Sequence, residues 1–272
     1  MQRVGTLYFA HYRTYLLLFS QPSTSRHSVS LLLDMISNLD LLNETFAKAH
    51  PTTILRWAWD TFAPEIVATS SFQTQSVPLL HLIAQTVPAL PVLFVDTGFH
   101  FPETLIYRDR LEKELGLAVK VVKPKQEHSA FLRTYGELYR RDPDMCCYVN
   151  KVEPLQRALQ GVQAWITGIR RDQTSDRKRL RIVTRLDSGV YKICPMANWS
   201  RRDIWRYISA HHLPEHPLIA DGYLSIGCAP CTRPITADEG EREGRWPGQS
   251  KSECGLHTIM MSSAIPADEG EA

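Results

Sequence analysis

Four cysteines in this chain are paired in a way that could do chemistry. Cys146 stands directly beside Cys147, and Cys228 and Cys231 have the C-x-x-C spacing. A disulfide between neighbouring residues closes a strained ring, so ordinary disulfide geometry disfavours that use. The C-x-x-C spacing lets two thiolates face one metal centre. Together the two pairs supply the four thiolates that structural zinc sites and iron–sulfur clusters prefer.

The adjacent cysteines favour an iron–sulfur cluster over zinc. One small tetrahedral zinc ion is difficult for neighbouring residues to chelate, whereas a [4Fe–4S] cubane offers a separate iron to each sulfur. We rank zinc second and four unliganded thiols third. A thioredoxin-like redox pair is another use of the C-x-x-C spacing, but this motif lacks the βαβ setting of such a pair.

A separate cysteine, Cys254, stands near the end of the sequence in KSECGLH, with Lys251 and His257 close by. Basic neighbours favour the thiolate, the nucleophilic form of cysteine, so Cys254 is a candidate nucleophile. A thiol hydrolase also uses cysteine and histidine, but on rigid elements with an oriented base. An unreactive free cysteine is the simpler interpretation. Cys194 continues a strand-like segment and is interpreted as a buried, small apolar residue.

Polar residues after three strand-like segments could bind an anion. Ser70 and Ser71 precede a helix, where hydroxyls and free amides suit a phosphate, although they also suit simple helix capping. Asp96 and Thr97 follow the next segment, where an Asx turn is the alternative. Residues 167–185, TGIRRDQTSDRKRLRIVTR, carry seven Arg and Lys against two Asp. Guanidinium groups pair with oxyanions in bidentate fashion, which favours phosphate, sulfate or nucleic acid over a merely solvated basic surface.

Composition indicates a globular protein rather than a membrane protein or a nucleic-acid-binding protein. The chain has 272 residues, 43% of them hydrophobic, and a net charge of +2, so any anion site must come from local clustering. No apolar run is long enough to span a bilayer. The six cysteines all lie in the second half, unlike a secreted disulfide framework, and indicate a reducing cytoplasm.

Strand-like and helix-like segments alternate from about residue 30. Such alternation predicts an α/β fold, a mostly parallel sheet flanked by helices, with ligands at the carboxyl ends of the strands. Short apolar runs predict four strands buried on both faces: EIVATSS, PVLFVDTG, LAVKVVK and AWITGI. Apolar periodicity predicts four helices: SLLLDMISNLDLLNETFAKAH, SVPLLHLIAQTV, PETLIYRDRLEKELG and KVEPLQRALQG.

The two ends of the chain differ from its middle. Residues 1–33 contain no Asp or Glu and three Arg, a composition that loosely resembles a transit peptide. We interpret residues 1–29 as a poorly ordered extension or the result of an upstream start codon. After residue 220, Gly, Pro and charge predict a loop-rich segment. The predicted domain is therefore residues 30–240, followed by a mobile C-terminal arm, residues 241–272, that carries Cys254.

Taken in order, these motifs resemble the family of assimilatory adenylyl-sulfate and phosphoadenylyl-sulfate reductases. The resemblance runs from about residue 65 to residue 257. It implies an adenine-nucleotide α-hydrolase-like (Rossmann-like) fold and thiol-dependent reduction of an activated sulfate to sulfite. The matching pieces are SSFQ, FVDTGFHFPET, CCYVNKVEPL, GIRRDQTSDR, KICPMANWSRRDIWRYI, HHLPEHPLIADGYLSIGCAPCT and ECGLH.

The resemblance also implies a role for each matched residue. Cys254 would attack the sulfur of the sulfonucleotide, AMP would leave, and a free thioredoxin or glutaredoxin would release sulfite. Four cysteines match the ligands of a [4Fe–4S] cluster in the adenylyl-sulfate branch: Cys146, Cys147, Cys228 and Cys231. The substrate-binding residues would be Ser70, Ser71, Lys151, Gly168, Arg170, Arg171, Arg242, Arg245 and His257.

The four matched cysteines make adenylyl sulfate the predicted substrate, in cytoplasmic sulfate assimilation and cysteine biosynthesis. SSFQTQS lacks the acidic pair of that branch and Asn150 replaces a basic residue, so phosphoadenylyl sulfate, or use of both nucleotides, is the alternative. A zinc-stabilised nucleic-acid-binding module ranks lower, and an ATP pyrophosphatase-type adenylation lacks its Gly-Gly loop. No nucleic-acid or membrane partner is expected, and a homo-oligomer is left open.

Overall fold

A mostly parallel sheet lies in the larger of the two units into which the chain divides, the unit from Pro51 onward. The computed structural model describes residues 38–257. The six strands of the sheet within this range are β1 (Ile66–Thr69), β2 (Pro91–Val95), β3 (Ala118–Val122), β4 (Ala164–Thr167), β5 (Val183–Arg185) and β6 (Tyr191–Ile193). They lie in the order β3-β2-β1-β4-β6-β5.

The direction of strand addition reverses at β1. The chain runs from β1 outward to β2 and β3, and then returns to the other side of β1 to form β4. All neighbouring strands are parallel except β5, which is antiparallel to β6. β1 and β4 pair along their whole length, from Ile66 with Ala164 to Thr69 with Thr167. In sheets of this kind, ligands bind at the carboxyl ends of the strands where the order reverses.

Helices connect the parallel strands, which confirms the predicted α/β alternation. A π-helical turn, Tyr148–Val152, and short 3₁₀ turns lie between some of them. The α-helices of the described residues are α1 (Leu39–Phe46), α2 (Pro51–Phe62), α3 (Val77–Thr86), α4 (Pro102–Leu115), α5 (His128–Tyr135), α6 (Leu138–Arg141), α7 (Pro143–Cys147), α8 (Glu153–Ala158) and α9 (Arg201–Ala210).

The four predicted strands are all present, but one of them is not buried. Every residue of β4 is buried, most of β2 is buried, and β1 alternates between buried and half-buried residues with none exposed. β3 is exposed at most of its positions, and the side chain of Val121 is 46% accessible. The prediction of burial on both faces is wrong for β3 because this strand is at the edge of the sheet, where one side has no neighbouring strand.

Local sequence explains where several helices begin and end. α4 begins with Pro102, and it ends at Gly116, whose φ of +65° is the left-handed conformation that glycine adopts without strain. Ser200 and Asp203 form a reciprocal capping box at the start of α9. The predicted helix in KVEPLQRALQG is shorter than expected, because it follows the π-helical turn and ends at Ala158.

The smaller unit is described only from residue 38. Its helix α1 lies inside the predicted helix SLLLDMISNLDLLNETFAKAH, and the side chain of Asn38 accepts a hydrogen bond from Leu41 N–H at its start. Residues 30–37 of that prediction and the proposed extension, residues 1–29, lie outside the described residues.

The segment after α9 is built from turns rather than regular elements, as predicted. Its described part contains two 3₁₀ turns, Pro217–Ile219 and Ala229–Cys231, and no further α-helix or strand up to residue 257. Isolated bridges join His100 to Cys228 and Thr232 to Arg245. Within residues 38–257, no helix has the length and apolarity that crossing a membrane would require.

Candidate active site

A cavity of about 960 Å³ lies where the carboxyl ends of β1, β2 and β4 meet. Its wall includes the last residue of each strand, namely Thr69, Val95 and Thr167. This is the position at which a reversal of strand order predicts a ligand. Nine of the ten predicted catalytic and substrate-binding residues line it: Ser70, Ser71, Lys151, Gly168, Arg170, Arg242, Arg245, Cys254 and His257.

The two serines belong to a compact turn between β1 and α3. The Ser70 hydroxyl accepts a hydrogen bond from Phe72 N–H (3.1 Å), and the Ser71 hydroxyl lies 3.2 Å from that of Ser76. Phe72 is fully buried and has a positive φ of 51°, so it anchors the turn. Neither serine caps α3, since Ser76 occupies the cap position. The turn therefore presents Ser70 and Ser71 to the cavity instead of to the helix.

Arg170 is the most buried cation in the wall of the cavity, with 1% of its residue surface exposed. Its Nε donates to Asp172 (3.0 Å) and its Nη2 donates to Gln75 (2.9 Å). Nη1 is buried without a partner among the described residues. A guanidinium fixed in this way is pre-organised for an oxyanion or a polar group of a ligand.

Arg171 is the predicted substrate-binding residue that does not line the cavity. Its side chain turns the other way, with Nε donating to the Leu180 carbonyl (2.7 Å) and Nη1 donating to Asn198. Adjacent residues after a strand point in different directions, so two neighbouring arginines rarely reach the same ligand. We therefore leave Arg171 out of the proposed site and assign it to holding the segment from residue 171 to residue 180.

Replacing Arg170 by methionine should raise the KM for the sulfonucleotide that the motifs predict by about tenfold or more, because charge-assisted hydrogen bonds contribute about 1.5–3 kcal/mol. Replacing Arg171 by methionine should change that KM less than about threefold, because this side chain lies outside the cavity. Steady-state kinetics on both variants measure the difference. A larger KM effect at Arg171 than at Arg170 would contradict the assignment.

The opposite wall of the cavity carries two more arginines, from the turn-rich segment. The Arg245 guanidinium lies 4.4 Å above the Trp246 ring, and an added Cβ at Gly227 would overlap it. Burial and the nearby charge of Arg245 both lower the pKa of Arg242 below its ordinary value. Cations that are forced together in this way favour a bound anion, because the anion relieves their repulsion.

The four-cysteine site, formed by Cys146, Cys147, Cys228 and Cys231, is buried beside this cavity. The adjacent cysteines end helix α7, and the π-helical turn that follows them carries Lys151. All four cysteines, with Lys151, Trp246 and other residues, line a small void of about 10 Å³. The structure thus brings together two cysteine pairs that are some 80 positions apart in sequence.

The surroundings of the four thiols are uneven. Burial raises the pKa of Cys146 to about 12 and that of Cys147 to about 11. Burial would also raise the pKa of Cys228, but Lys151 and a hydrogen bond from the Thr97 hydroxyl (3.4 Å) outweigh it and lower that pKa. Burial would lower the pKa of Lys151, but Cys228 and the other nearby thiols raise it instead. The ammonium group of Lys151 is therefore stabilised by the cysteine sulfurs around it.

The donor set of these four residues is one that an iron–sulfur cluster would use. Among the described residues, no three His, Cys, Asp or Glu side chains converge on one point that could hold a metal ion. A [4Fe–4S] cluster binds each thiolate to a different iron, so its four sulfurs do not converge on one ion. All four cysteines are buried and free of disulfides, and both pairs face the same void. The donor set has the chemistry that such a cluster requires.

Cys254 connects the cavity to the four-cysteine site. It lines the cavity, and it packs against the apolar cluster that contains Cys146 and Cys228. It lies close enough to Lys151 and Arg242 to stabilise both cations electrostatically. A thiol placed between cations, on the wall of a nucleotide-sized cavity, can act as a nucleophile toward an anionic substrate.

The pair after β2 has structural roles. Asp96 accepts a hydrogen bond from Gly98 N–H (3.0 Å), which is the Asx turn considered as the alternative. Thr97 is buried, and its hydroxyl accepts from Phe99 N–H (3.2 Å) as well as contacting Cys228. Thr97 therefore supports the four-cysteine site, a function that the sequence analysis did not assign.

His257 was predicted, but several of the contacts in the site were missed because the partners are distant in sequence. His257 stacks on Trp165, with ring centroids 5.4 Å apart and planes 10° from parallel, and its carbonyl accepts from Lys192 (3.4 Å). Burial, together with the nearby charges of Lys192 and Arg177, lowers the pKa of His257 well below its ordinary value. Arg177 and Glu253 form an ion pair beside Cys254. Of these two residues, only Arg177 belongs to a pattern that is visible in the sequence, namely the basic run after β4.

Comparison with known proteins assigns the chain to a family. Residues 65–234 match the family described as the phosphoadenosine phosphosulfate reductase domain, and this match covers more than half of the chain. The chain belongs to this family. This confirms the resemblance that the sequence motifs carry.

Similar proteins in this reductase family cover most of the chain. The adenosine 5′-phosphosulfate reductase of Streptomyces coelicolor is 44% identical over 206 residues, which is 75% of this chain and 86% of the relative. That of Mesorhizobium japonicum is 44% identical over 226 residues, 82% and 89% of the two chains.

Solved structures support the same fold. The phosphoadenylyl-sulfate reductase of Candida auris, solved as a phosphate complex, has a TM-score of 0.64 and 30% identity and covers 76% of this chain and 97% of its own. The Candida glabrata FMN adenylyltransferase, with a TM-score of 0.53 and 16% identity, covers 89% and 83% and shows the fold alone. The predicted Rossmann-like α/β architecture is therefore confirmed.

Proposed function

We propose that this chain reduces adenylyl sulfate to sulfite and AMP, with Cys254 as the nucleophile. The Cys254 sulfur attacks the sulfur of the sulfate, a sulfur–sulfur bond forms, and the bond from sulfur to the phosphate oxygen breaks. AMP departs with the electron pair, and Cys254 carries an S-sulfonate. A dithiol such as thioredoxin or glutaredoxin then attacks the Cys254 sulfur, sulfite leaves, and the dithiol closes to a disulfide, which supplies the two electrons.

The observation that carries this proposal is the position of Cys254. It is a free thiol on the wall of the cavity, close to the cations Lys151 and Arg242. Attack at sulfur requires that the charge of the departing phosphate be neutralised, and these cations are in place to do so. The names of the bacterial relatives, adenosine 5′-phosphosulfate reductase, support the same reaction.

We also propose that the four-cysteine site holds a [4Fe–4S] cluster. The ligands would be Cys146, Cys147, Cys228 and Cys231, all buried around one void. When bound, the cluster would tie α7 to the turn after Gly227 and tune the electrostatic field at Lys151. Lys151 lies between the four sulfurs and the cavity, since it lines both the small void and the cavity.

Adenylyl sulfate is preferred over its 3′-phosphorylated form on the strength of these cysteines and of the named relatives. Use of phosphoadenylyl sulfate, or of both nucleotides, is the second candidate. The phosphoadenylyl-sulfate reductase of Candida auris is structurally similar, and the turn with Ser70 and Ser71 carries no carboxylate that would repel a further phosphate.

The nucleic-acid-binding alternative finds no support in the basic run after β4. Arg170 faces the cavity, Arg171 donates to the Leu180 carbonyl, and Arg177 pairs with Glu253. Three of its cations are thus used within the fold rather than displayed to a phosphate backbone. Because none of the described cysteines forms a disulfide, we propose a reducing, cytoplasmic location. The named relatives support a role in sulfate assimilation and cysteine biosynthesis.

A single-turnover experiment tests the nucleophile directly. The anaerobic protein is incubated with adenylyl sulfate without any dithiol, digested with trypsin, and analysed by mass spectrometry. The peptide that follows Lys251 should gain one sulfonate on Cys254, in equal amount to the AMP released. Adding reduced thioredoxin should remove it as sulfite. AMP release with no sulfonate on that peptide would contradict the mechanism.

Residues 241–272 have a role of their own in the proposed reaction. We propose that residues 241–272 act as an arm that closes on the cavity for attack at sulfur and opens for the dithiol, while residues 30–240 form the nucleotide-binding domain. In the structure, the described part of this arm lines the cavity with Arg242, Arg245 and Cys254.

A further inference from the structure

The segment that carries Cys254 lacks the backbone hydrogen bonds that fix a helix or strand. Residues 247–257, here called the strap, contain no regular helix or strand. Two glycines in the strap, Gly248 and Gly255, have positive φ values of 76° and 84°. Holding a residue in one backbone conformation costs conformational entropy. Because backbone hydrogen bonds of a helix or strand do not offset that cost here, side-chain contacts must hold the strap in place.

The best-buried ion pair of the strap is immediately beside Cys254. Glu253 Oε2 lies 2.6 Å from Arg177 Nη2, and the two side chains are only 8% and 11% exposed. The Thr174 hydroxyl donates to the other carboxylate oxygen (3.2 Å). Arg177 is in turn oriented by Gln173, to which its Nη1 donates. The shortest contact of each carboxylate oxygen is therefore with one short segment, residues 173–177.

The next residue of the strap contacts the same segment. The Ser252 hydroxyl lies 3.2 Å from the Asp176 carboxylate, and the Ser252 carbonyl accepts from Arg242 (2.9 Å). Arg242 also pairs with Glu253 Oε2, but at 3.9 Å and with a more exposed side chain than Arg177. The remaining ion pair of the strap is farther from Cys254. Lys251 pairs with Asp144, whose side chain is 80% exposed. Exposed ion pairs contribute little, whereas breaking a buried pair leaves an uncompensated charge.

We infer that Arg177 and Glu253 form a latch that holds Cys254 over the cavity, and that Glu253 is a positioning residue for the reaction. Glu253 is joined to Cys254 by one peptide bond, so fixing its carboxylate fixes the thiol within about one residue length. Reaction at sulfur needs the nucleophile close to its target and aligned with it, which makes a free strap a poor catalyst. The inference rests on the proposed function, in which Cys254 is the nucleophile.

The test uses variants that release the latch with little change in shape. Glu253→Gln keeps the length of the side chain and its bond from Thr174 but removes the charge, and Arg177→Met removes the partner. Arg179→Met is the matched control, since Arg179 is an exposed arginine of the same basic run that does not line the cavity. The first measurement is the rate at which iodoacetamide alkylates Cys254 in the full-length protein, followed on the peptide after Lys251.

The latch predicts that alkylation becomes at least about fivefold faster in Glu253→Gln and Arg177→Met, and unchanged in Arg179→Met. The double variant should match the faster single variant, because one interaction is lost only once. In turnover, Glu253→Gln should lower kcat about tenfold while KM changes less than about threefold, since binding is kept and only alignment is lost. Thermal unfolding of each variant should show that the fold persists at the assay temperature.

Alkylation at the wild-type rate in both variants would overturn the latch, whatever their activity. Additive effects in the double variant would also overturn it, because they would show that the two side chains act separately. A change in KM with kcat preserved would assign Glu253 to binding and overturn its positioning role. If the wild-type protein released no sulfite while the variants still alkylated faster, the latch would stand and the proposed function would fail.

Discussion

Replacing Cys254 by serine should abolish sulfite release, by at least about a thousandfold, while the protein still folds and keeps the proposed cluster. A serine hydroxyl is far less nucleophilic than a thiolate and cannot form the sulfur–sulfur bond that the reaction needs. The change is nearly isosteric, and Cys254 is only partly buried, so packing against the four-cysteine site should persist. Sulfite and AMP are measured anaerobically with thioredoxin.

The control for this experiment is the sixth cysteine. Cys194 is fully buried and does not line the cavity, and burial raises its pKa to about 11, so it stays a thiol. Cys194→Ala should therefore keep turnover within about threefold and lose only a little stability. If Cys254→Ser retained substantial activity, or if Cys194→Ala abolished it, Cys254 would not be the nucleophile.

Replacing Cys228 by serine should remove most of the iron and with it most of the activity. Cys228 is buried and is fixed on both sides, since its sulfur contacts the Thr97 hydroxyl and its carbonyl accepts from Thr232 (2.9 Å). A cluster that loses one of four ligands is expected to fall from about four irons per chain to below about one. Iron analysis and visible absorption of the anaerobically purified protein measure this loss.

Two comparisons make the iron experiment decisive. Cys194→Ala should keep the iron and the brown colour that the proposed cluster would give the wild-type protein, because Cys194 does not line the void between the other four. Cys254→Ser should also keep both, because its role is in the cavity. A wild-type protein that is colourless, loaded with zinc and active would contradict the cluster, although not the role of Cys254.

Sequence patterns predicted the parts of the fold that local chemistry determines. Runs of β-branched residues mark β1, β2 and β4 because these strands are buried, and burial demands apolar side chains throughout. The same kind of run marked β3, but its exposure depends on its place at the sheet edge, which is a property of the whole sheet. Helix α2 was not predicted, although its buried residues Ile54, Leu55, Ala58 and Phe62 recur at helical spacing.

The sequence predicted most residues of the candidate site but not the contacts that each of them makes. Motif order gave the nine predicted residues that line the cavity, because polar residues after parallel strands meet at one edge. Motif order could not show that Arg170 lines the cavity and Arg171 does not. The direction of each side chain depends on its hydrogen-bond partner, which is Gln75 for Arg170 and the Leu180 carbonyl for Arg171. The Arg177–Glu253 pair spans 76 positions and becomes visible only when the strap folds back over β4.

The most direct test of the proposed activity is anaerobic sulfite release with reduced thioredoxin, measured in parallel with adenylyl sulfate and with phosphoadenylyl sulfate. The geometry of Cys254, Lys151 and the arginines of the cavity predicts sulfite and AMP in equal amounts from adenylyl sulfate. The four cysteines and the named relatives predict a kcat/KM for adenylyl sulfate at least about tenfold higher than for the 3′-phosphorylated nucleotide. Equal use of both would establish a dual reductase. Release of no sulfite from either nucleotide would contradict the account.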